Sequence, residues 1–171
     1  MKERLSPVLC GVAGEYFVAA ELSRRGCIAS ITLRNTRGID FLASNADATK
    51  TVGIQVKTNQ RGVAEWILNE KVEEGPSEDL AENLFFVFVT LPPNGEPPTY
   101  HIISRRELAA IVKEQHGRWL ATPGRGGRPH SASNVIRKFS DRDGRYRDKW
   151  TALGLDGETT VSGASGRADR A

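Results

Sequence analysis

Four residues in the first third of the chain have the types and spacing of a hydrolytic metal site: Glu15, Asp40, Gln55 and Lys57. Cleaving a phosphodiester calls for a metal ion that binds the scissile phosphate and lowers the pKa of the attacking water. Magnesium is a hard cation that prefers carboxylate, carbonyl and water oxygens in near-octahedral geometry. Asp40 and Glu15 would supply carboxylates, Gln55 a neutral amide oxygen, and the main-chain carbonyl of Val56 a further ligand. Lys57 would set an ammonium beside the phosphate or the nucleophilic water and offset charge that develops in the transition state.

Such a site requires elements that hold these side chains on one face. Residues 9–25 have helical periodicity, with Leu9, Val12, Ala13, Tyr16, Phe17, Ala20 and Leu22 as an apolar stripe and Glu15 at its edge. Gly26 suits the position just past the helix end. Cys27–Leu33 reads as a first strand, followed by a turn through Asn35–Gly38. Ile39–Ala43 reads as a second strand with Asp40 opposite in direction to Ile39 and Phe41. Asn45–Lys50 is a polar turn, and Thr51–Thr58 a third strand with Val52, Ile54 and Val56 on one face and Gln55 and Lys57 on the other. A hairpin of these two strands brings Asp40 near Gln55 and Lys57.

Farther along, Glu65–Leu68 suggests a short strand and Ser77-Glu78-Asp79 a helix start. Leu84–Thr90 is continuously apolar, the mark of a central strand covered on both faces. Thr99–Ile103 is a fifth strand, and Ser104 to Glu107 forms a capping box before a helix whose apolar face includes Leu108, Ile111 and Val112. Residues 117–131, rich in Gly, Pro and Arg, read as a loop and 133–139 as a short helix. Tyr146–Leu153 would dock an aromatic end on the core. Trp66 reads as core, while Trp119 and Trp150 would anchor this C-terminal segment. From Gly154 onward the composition is that of a disordered tail. The fold class is therefore α/β, a mixed sheet of four to five strands flanked by helices, with one domain over 1–153, a basic segment at 117–153 and a tail at 154–171.

With the motif Gly38-Ile39-Asp40, the Gln55-Val56-Lys57 triplet and Gly14-Glu15 on the preceding helix, residues 10–115 resemble the PD-(D/E)XK nuclease superfamily, the restriction-endonuclease-like fold shared with Holliday-junction resolvases. The resemblance implies that Asp40 is the motif's first acid, Lys57 its lysine, and Glu15 the first-helix glutamate of resolvase-like members. Gln55 stands where a second acid is usual, a Gln-X-Lys form similar to that of nucleases that cut modified DNA. Ile39 replaces the proline of the family name. The implied activity is a magnesium- or manganese-dependent endonuclease of repair, restriction or mobile-element maintenance, acting on duplexes as a homodimer because one site cuts one strand. Removing one negative charge at Gln55 would weaken metal binding.

Each residue also has a plainer reading: Glu15 as a solvent-facing helix acid, Asp40 as a surface acid paired with Lys57, Gln55 as an exposed strand residue. An inactive nucleic-acid-binding module of the same fold, or a protein-interaction module, would use them so. The chain of 171 residues carries a net charge of +3, unevenly placed. Residues 59–100 hold two basic against eight acidic side chains, and residues 101–150 twelve against five. A basic face of Arg118, Arg125, Arg128, Arg137 and Lys138 would grip DNA (or RNA) phosphates, giving affinity without sequence specificity. Cys10 and Cys27 have no paired spacing and read as reduced thiols of a cytoplasmic protein. His101, His116 and His130 are scattered, with surface or strand-edge positions expected. No stretch is long enough for a membrane span, and no secretory leader is evident.

Overall fold

A computed structural model describes residues 4–32, 38–74, 83–92 and 95–156. Helix α1 (Pro7–Arg24) is followed by strands β1 (Ile28–Ile31), β2 (Phe41–Ser44), β3 (Thr51–Asn59) and β4 (Glu65–Asn69), then β5 (Leu84–Thr90) and β6 (Thr99–Ser104), helix α2 (Arg105–Ala121) and strand β7 (Ile136–Ser140). Five strands form one sheet in the order β1-β2-β3-β5-β6; β4 and β7 pair in a separate two-stranded ribbon. The β3–β5 contact is parallel and the other pairings are antiparallel. The chain is thus a mixed α/β domain.

The strand alternation dictates two cores, one on each face of the sheet. Val52, Ile54 and Val56 of β3 face α1 and join Val18, Leu22, Phe41, Val87, Ile102, Trp150 and Leu153. On the opposite face Phe86, Phe88 and Ile103 meet Leu108 and Val112 of α2 and Trp66, Leu68 and Phe139 of the ribbon. β5 contributes to both cores, which explains its unbroken apolarity. Truncating Phe88, fully buried between α2 and the ribbon, would cost about 3–5 kcal/mol.

Several elements depart from the pattern expected of the sequence. The buried line of α1 is Cys10, Gly14, Val18 and Leu22, so Leu9, Tyr16 and Phe17 point to solvent. Every residue from Pro7 to Ala20 except Glu15 is uncharged, and a helix apolar all round has no preferred stripe for periodicity to detect. Helix α2 runs through Gly117 and Trp119 to Ala121, so the loop starts five residues later than composition suggests. Residues 136–140 are a strand, not part of a short helix: Arg137 and Phe139 point inward while Ile136 and Lys138 point out, the period of two that the ribbon demands. The packed chain continues past Leu153, because Leu155 is buried in the same core as Trp150 and Leu153. β2 begins at Phe41, leaving Asp40 just outside the strand. The proposed helix start at Ser77, the turn at Asn35–Arg37 and the tail from 157 lie outside the described residues.

Candidate functional site

The pairing of β2 with β3 ends at Phe41 opposite Ile54, while β3 continues to Asn59. Among the described residues the second half of β3 has no strand partner on that side, and a notch opens there. The backbone groups of residues 53 and 59 are bonded toward β5: Gly53 N–H donates to Asn83 and the Asn59 carbonyl accepts from Leu91. Residues 54 and 56 face the notch instead, since the Ile54 carbonyl accepts from the Asp40 N–H and the Val56 N–H donates 2.7 Å to Asp40 Oδ2. A residue's N–H and C=O project from the same side of a strand, so the Val56 carbonyl is directed into the notch as well.

Asp40 thus closes the end of the hairpin with its side chain. One carboxylate oxygen substitutes for the missing strand partner of Val56, and the carboxylate is half-buried. Its position is set by Gly38, whose φ of +75° is natural to glycine. A Cβ at Gly38 would meet the Gln55 amide at about 3.4 Å, an ordinary van der Waals contact, so the left-handed φ and not crowding calls for glycine there. Gln55 and Lys57 point to the face opposite Val56, and both line a cleft of about 390 Å³. Asp40, Gln55 and Lys57 are therefore gathered at the hairpin end.

Glu15 arrives from the other side. It follows Gly14, where α1 crosses β3 so closely that any side chain would overlap the Thr58 hydroxyl. Glu15 follows on the helix, half-buried, on the α1 side of the sheet, whereas Gln55 and Lys57 point to the other side. The oxygen donors at the hairpin end are the Asp40 carboxylate, the Gln55 amide and the Val56 carbonyl, with the Glu15 carboxylate across on the α1 side of the sheet. This chemistry suits magnesium or manganese and not zinc. With two carboxylates at most, the set has fewer than three acidic, histidine or cysteine ligands, and no group of three such side chains occurs among the described residues.

The cleft beside Gln55 and Lys57 is cationic in a way that sequence order conceals. Lys71, from the 3-10 turn Glu70–Glu74, and Arg105, the first residue of α2, share its wall with Ile67 and Phe86. Lys71 stands among acids in the chain and Arg105 sits within a capping box, so neither position hints at this convergence. A neighbouring groove of about 300 Å³ joins Lys57 to Arg4, Gln60, Arg61 and Cys10. Burial pushes the Cys10 thiol up, with the Gln60 side chain acting weakly against it, so Cys10 is a poor nucleophile. Cys10 and Cys27 are unbridged.

Of the five residues expected to grip phosphates, Arg118, Arg125, Arg128 and Lys138 are exposed. Arg118 pairs with Glu114 and Lys138 with Glu65. Arg137 is buried; its guanidinium is bonded to Glu73 and to the Asn134 and Ile136 carbonyls, so it belongs to the interior. Arg125 and Arg128 follow the C-terminal end of α2 and Arg105 opens its N-terminal end. Seventeen helical residues separate these ends by about 25 Å.

The histidines also depart from their expected places. His101 is buried, its Nδ1 2.5 Å from Asp141 Oδ2, and its ring meets the edge of Trp66. His116 and His130 both stack with Trp119, which ties the 122–135 part of the C-terminal segment to α2, while Trp150 packs its end into the core. No family model, curated protein or solved structure matches this chain. Among the described residues no helix is long and apolar enough to cross a membrane.

Proposed function

We propose that the chain is a metal-dependent nuclease of the restriction-endonuclease-like type that hydrolyses phosphodiester bonds of DNA. The observation that carries this reading is the notch past the end of β2, where Asp40 is fixed on Val56 beside Gln55, Lys57 and a cationic cleft. The resemblance of Gly38–Asp40 and Gln55–Lys57 to the PD-(D/E)XK pattern points the same way.

Asp40, Glu15, Gln55 and the Val56 carbonyl would hold magnesium or manganese, which when bound supplies an acidified water and a counter-charge for the phosphate. The chain's own residues do the rest. One Asp40 oxygen is anchored on the Val56 N–H, which orients the carboxylate at the end of the hairpin. Lys57 stabilises charge on the phosphoryl oxygens as water adds to phosphorus and the sugar oxygen departs. Lys71 and Arg105 receive the neighbouring phosphates. A duplex laid along α2 from Arg105 toward Arg125 and Arg128 would meet both ends of the helix over roughly seven base pairs.

The competing reading, a binding module without cleavage, is favoured by the neutral amide at Gln55 and by the use of Asp40 as a strand closure. Asp40→Asn separates the two, because the amide oxygen can still accept the Val56 N–H while the charge is lost. Calorimetric titration of manganese should show binding to the wild type and at least a tenfold loss in Asp40→Asn, with plasmid cleavage falling about 10³-fold. Lys57→Met should leave manganese binding intact and reduce cleavage about 10²–10³-fold. Absence of manganese binding to the wild type, with and without DNA, would leave the binding module in place of the nuclease.

A further inference from the structure

A cavity of about 550 Å³, larger than the cleft beside Lys57, opens where Phe85 at the start of β5 pairs with Ser104 at the end of β6. It lies between the first turn of α2 and the 3-10 turn Trp150–Leu153. Three cations reach it: Arg106 from α2, and Arg145 and Lys149 from the segment organised by Asp141. Arg105 and Arg106 are neighbours in sequence, yet they serve different clefts. Other surface cations are taken up by acids, as Arg24 and Arg25 are by Glu21 and Lys138 and Arg142 by Glu65. Arg106 and Lys149 are exposed and have no acidic partner among the described residues. Arg145 is held in place, its guanidinium 5.3 Å from the Tyr146 ring centre and 3.4 Å from Glu107 Oε1.

We infer that this cavity binds a free nucleotide, a site separate from the one at the hairpin end and independent of cleavage. Three cations against the single carboxylate of Glu107 leave the lining positive, which selects an anion. Two of the three are guanidiniums, whose planar fork matches the oxygens of a phosphate. A bare phosphate would leave the rest of the cavity unused, because its wall is apolar at Phe85, Ile103 and Ala152. The volume falls within the roughly 300–1,000 Å³ of sites that enclose a small organic ligand. Glu107 would repel a bare anion, but it suits a sugar. Its Oε1 takes the Tyr146 hydroxyl and Arg145, while Oε2 has no hydrogen-bond partner among the described residues. A carboxylate oxygen so placed accepts from ribose hydroxyls, as acidic side chains do in dinucleotide sites. Phosphates on Arg106, Arg145 and Lys149, a sugar at Glu107 and a base against the apolar wall would use every charged group that lines the cavity.

Calorimetric titration of the full chain with ADP, in EDTA so that no metal site contributes, tests this. The wild type should bind with a Kd on the order of 100 µM. Arg106→Ala and Lys149→Ala, both at exposed positions, should each weaken binding at least fivefold while leaving the urea midpoint unchanged. Lys71→Ala, in the cleft beside Lys57, should bind ADP as the wild type does. Inorganic pyrophosphate should bind at least tenfold more weakly than ADP, because it reaches only the cations. No binding of ADP to the wild type, or a loss in Lys71→Ala in place of Arg106→Ala and Lys149→Ala, overturns the inference. Pyrophosphate binding as tightly as ADP does so too, since the sugar and base would then have no part in the site. A single-stranded DNA that binds more tightly than ADP and loses affinity in the same two variants would assign the cavity to a nucleic-acid strand and overturn it as well. Manganese binding by Asp40 is read separately, so either result can fail without the other.

Discussion

Two aspartates show how differently the same side chain is used in this fold. Asp141 and Asp40 each accept a backbone N–H, from Tyr146 at 3.0 Å and from Val56 at 2.7 Å. Asp141 is 5% exposed, and the oxygen that takes the Tyr146 N–H also meets His101 Nδ1. The segment it organises covers the outer edge of β6, where the Ile102 N–H donates to Tyr146 and the Asp148 N–H to Tyr100. Asp141 is a structural group enclosed by its partners. Asp40 is half-buried at the open end of a hairpin, on the strand that carries the Gln55 amide. A carboxylate can do chemistry only with the capacity that structure leaves over, and that remainder differs between the two.

The sharpest way to break this comparison is to remove each acceptor and measure stability. Asp141→Ala would leave the buried His101 nitrogen and the Tyr146 N–H without an acceptor. Each unsatisfied group costs about 1–3 kcal/mol, so the expected loss is about 3–4 kcal/mol in urea unfolding. Asp40→Asn should change the same midpoint by less than about 1 kcal/mol, because the Val56 N–H keeps a carbonyl acceptor. If Asp40→Asn proves as damaging as Asp141→Ala, Asp40 is a structural residue and the notch loses its chemical meaning.

A smaller effect, of opposite sign, is expected at Gln55. Gln55→Glu adds a carboxylate where the donor set is weakest, at a half-buried strand position already shaped for the same length of side chain. Manganese affinity should rise about tenfold, equivalent to about 1.4 kcal/mol. Calorimetry would detect it, and unchanged affinity would mean that Gln55 does not face the cation.

The site was more legible in the sequence than the C-terminal third, for a physical reason. Alternation along β3 set Gln55 and Lys57 on one face from their spacing alone, whereas Asp40 lies just outside β2 and is held by the Val56 N–H. The central position of β5 followed from its unbroken apolarity. Glu15 was legible only as a helix residue, because α1 is apolar on both sides and periodicity cannot orient it. Residues 133–139 read as a helix since Val135, Ile136 and Phe139 fall at helical spacing. Their strand alternation emerges only once Arg137 is recognised as buried against Glu73, a partner 64 residues away. Lys71 and Arg105 joined the cleft through tertiary contacts that no local pattern records, as did the burial of His101 on Asp141.

The mildest test concerns Tyr146, which belongs to the Asp141 cluster through its backbone and to α2 through its hydroxyl. The hydroxyl donates to Glu107 Oε1 at 2.6 Å, which is why Glu107 does not complete the capping box begun by Ser104, whose side chain accepts the Glu107 N–H. Burial first, and the Glu107 carboxylate second, push the Tyr146 hydroxyl up to about 12. Tyr100, raised chiefly by burial and then by Glu21, also reaches about 12. A phenol whose pKa is higher in the folded state stabilises the fold below the unfolded value, near 10, and loses that contribution as pH rises toward 12. Stability should therefore fall between pH 10 and 12, and Tyr146→Phe should make that decline shallower. At pH 7 the same substitution should cost about 1 kcal/mol for the lost hydrogen bond. Urea midpoints measured at pH 8, 10 and 11 decide the matter. If Tyr146→Phe leaves the alkaline decline as steep as in the wild type, Tyr100 carries it, and the covered edge of β6 is held by the Asp141 bonds without help from the Glu107 hydroxyl contact.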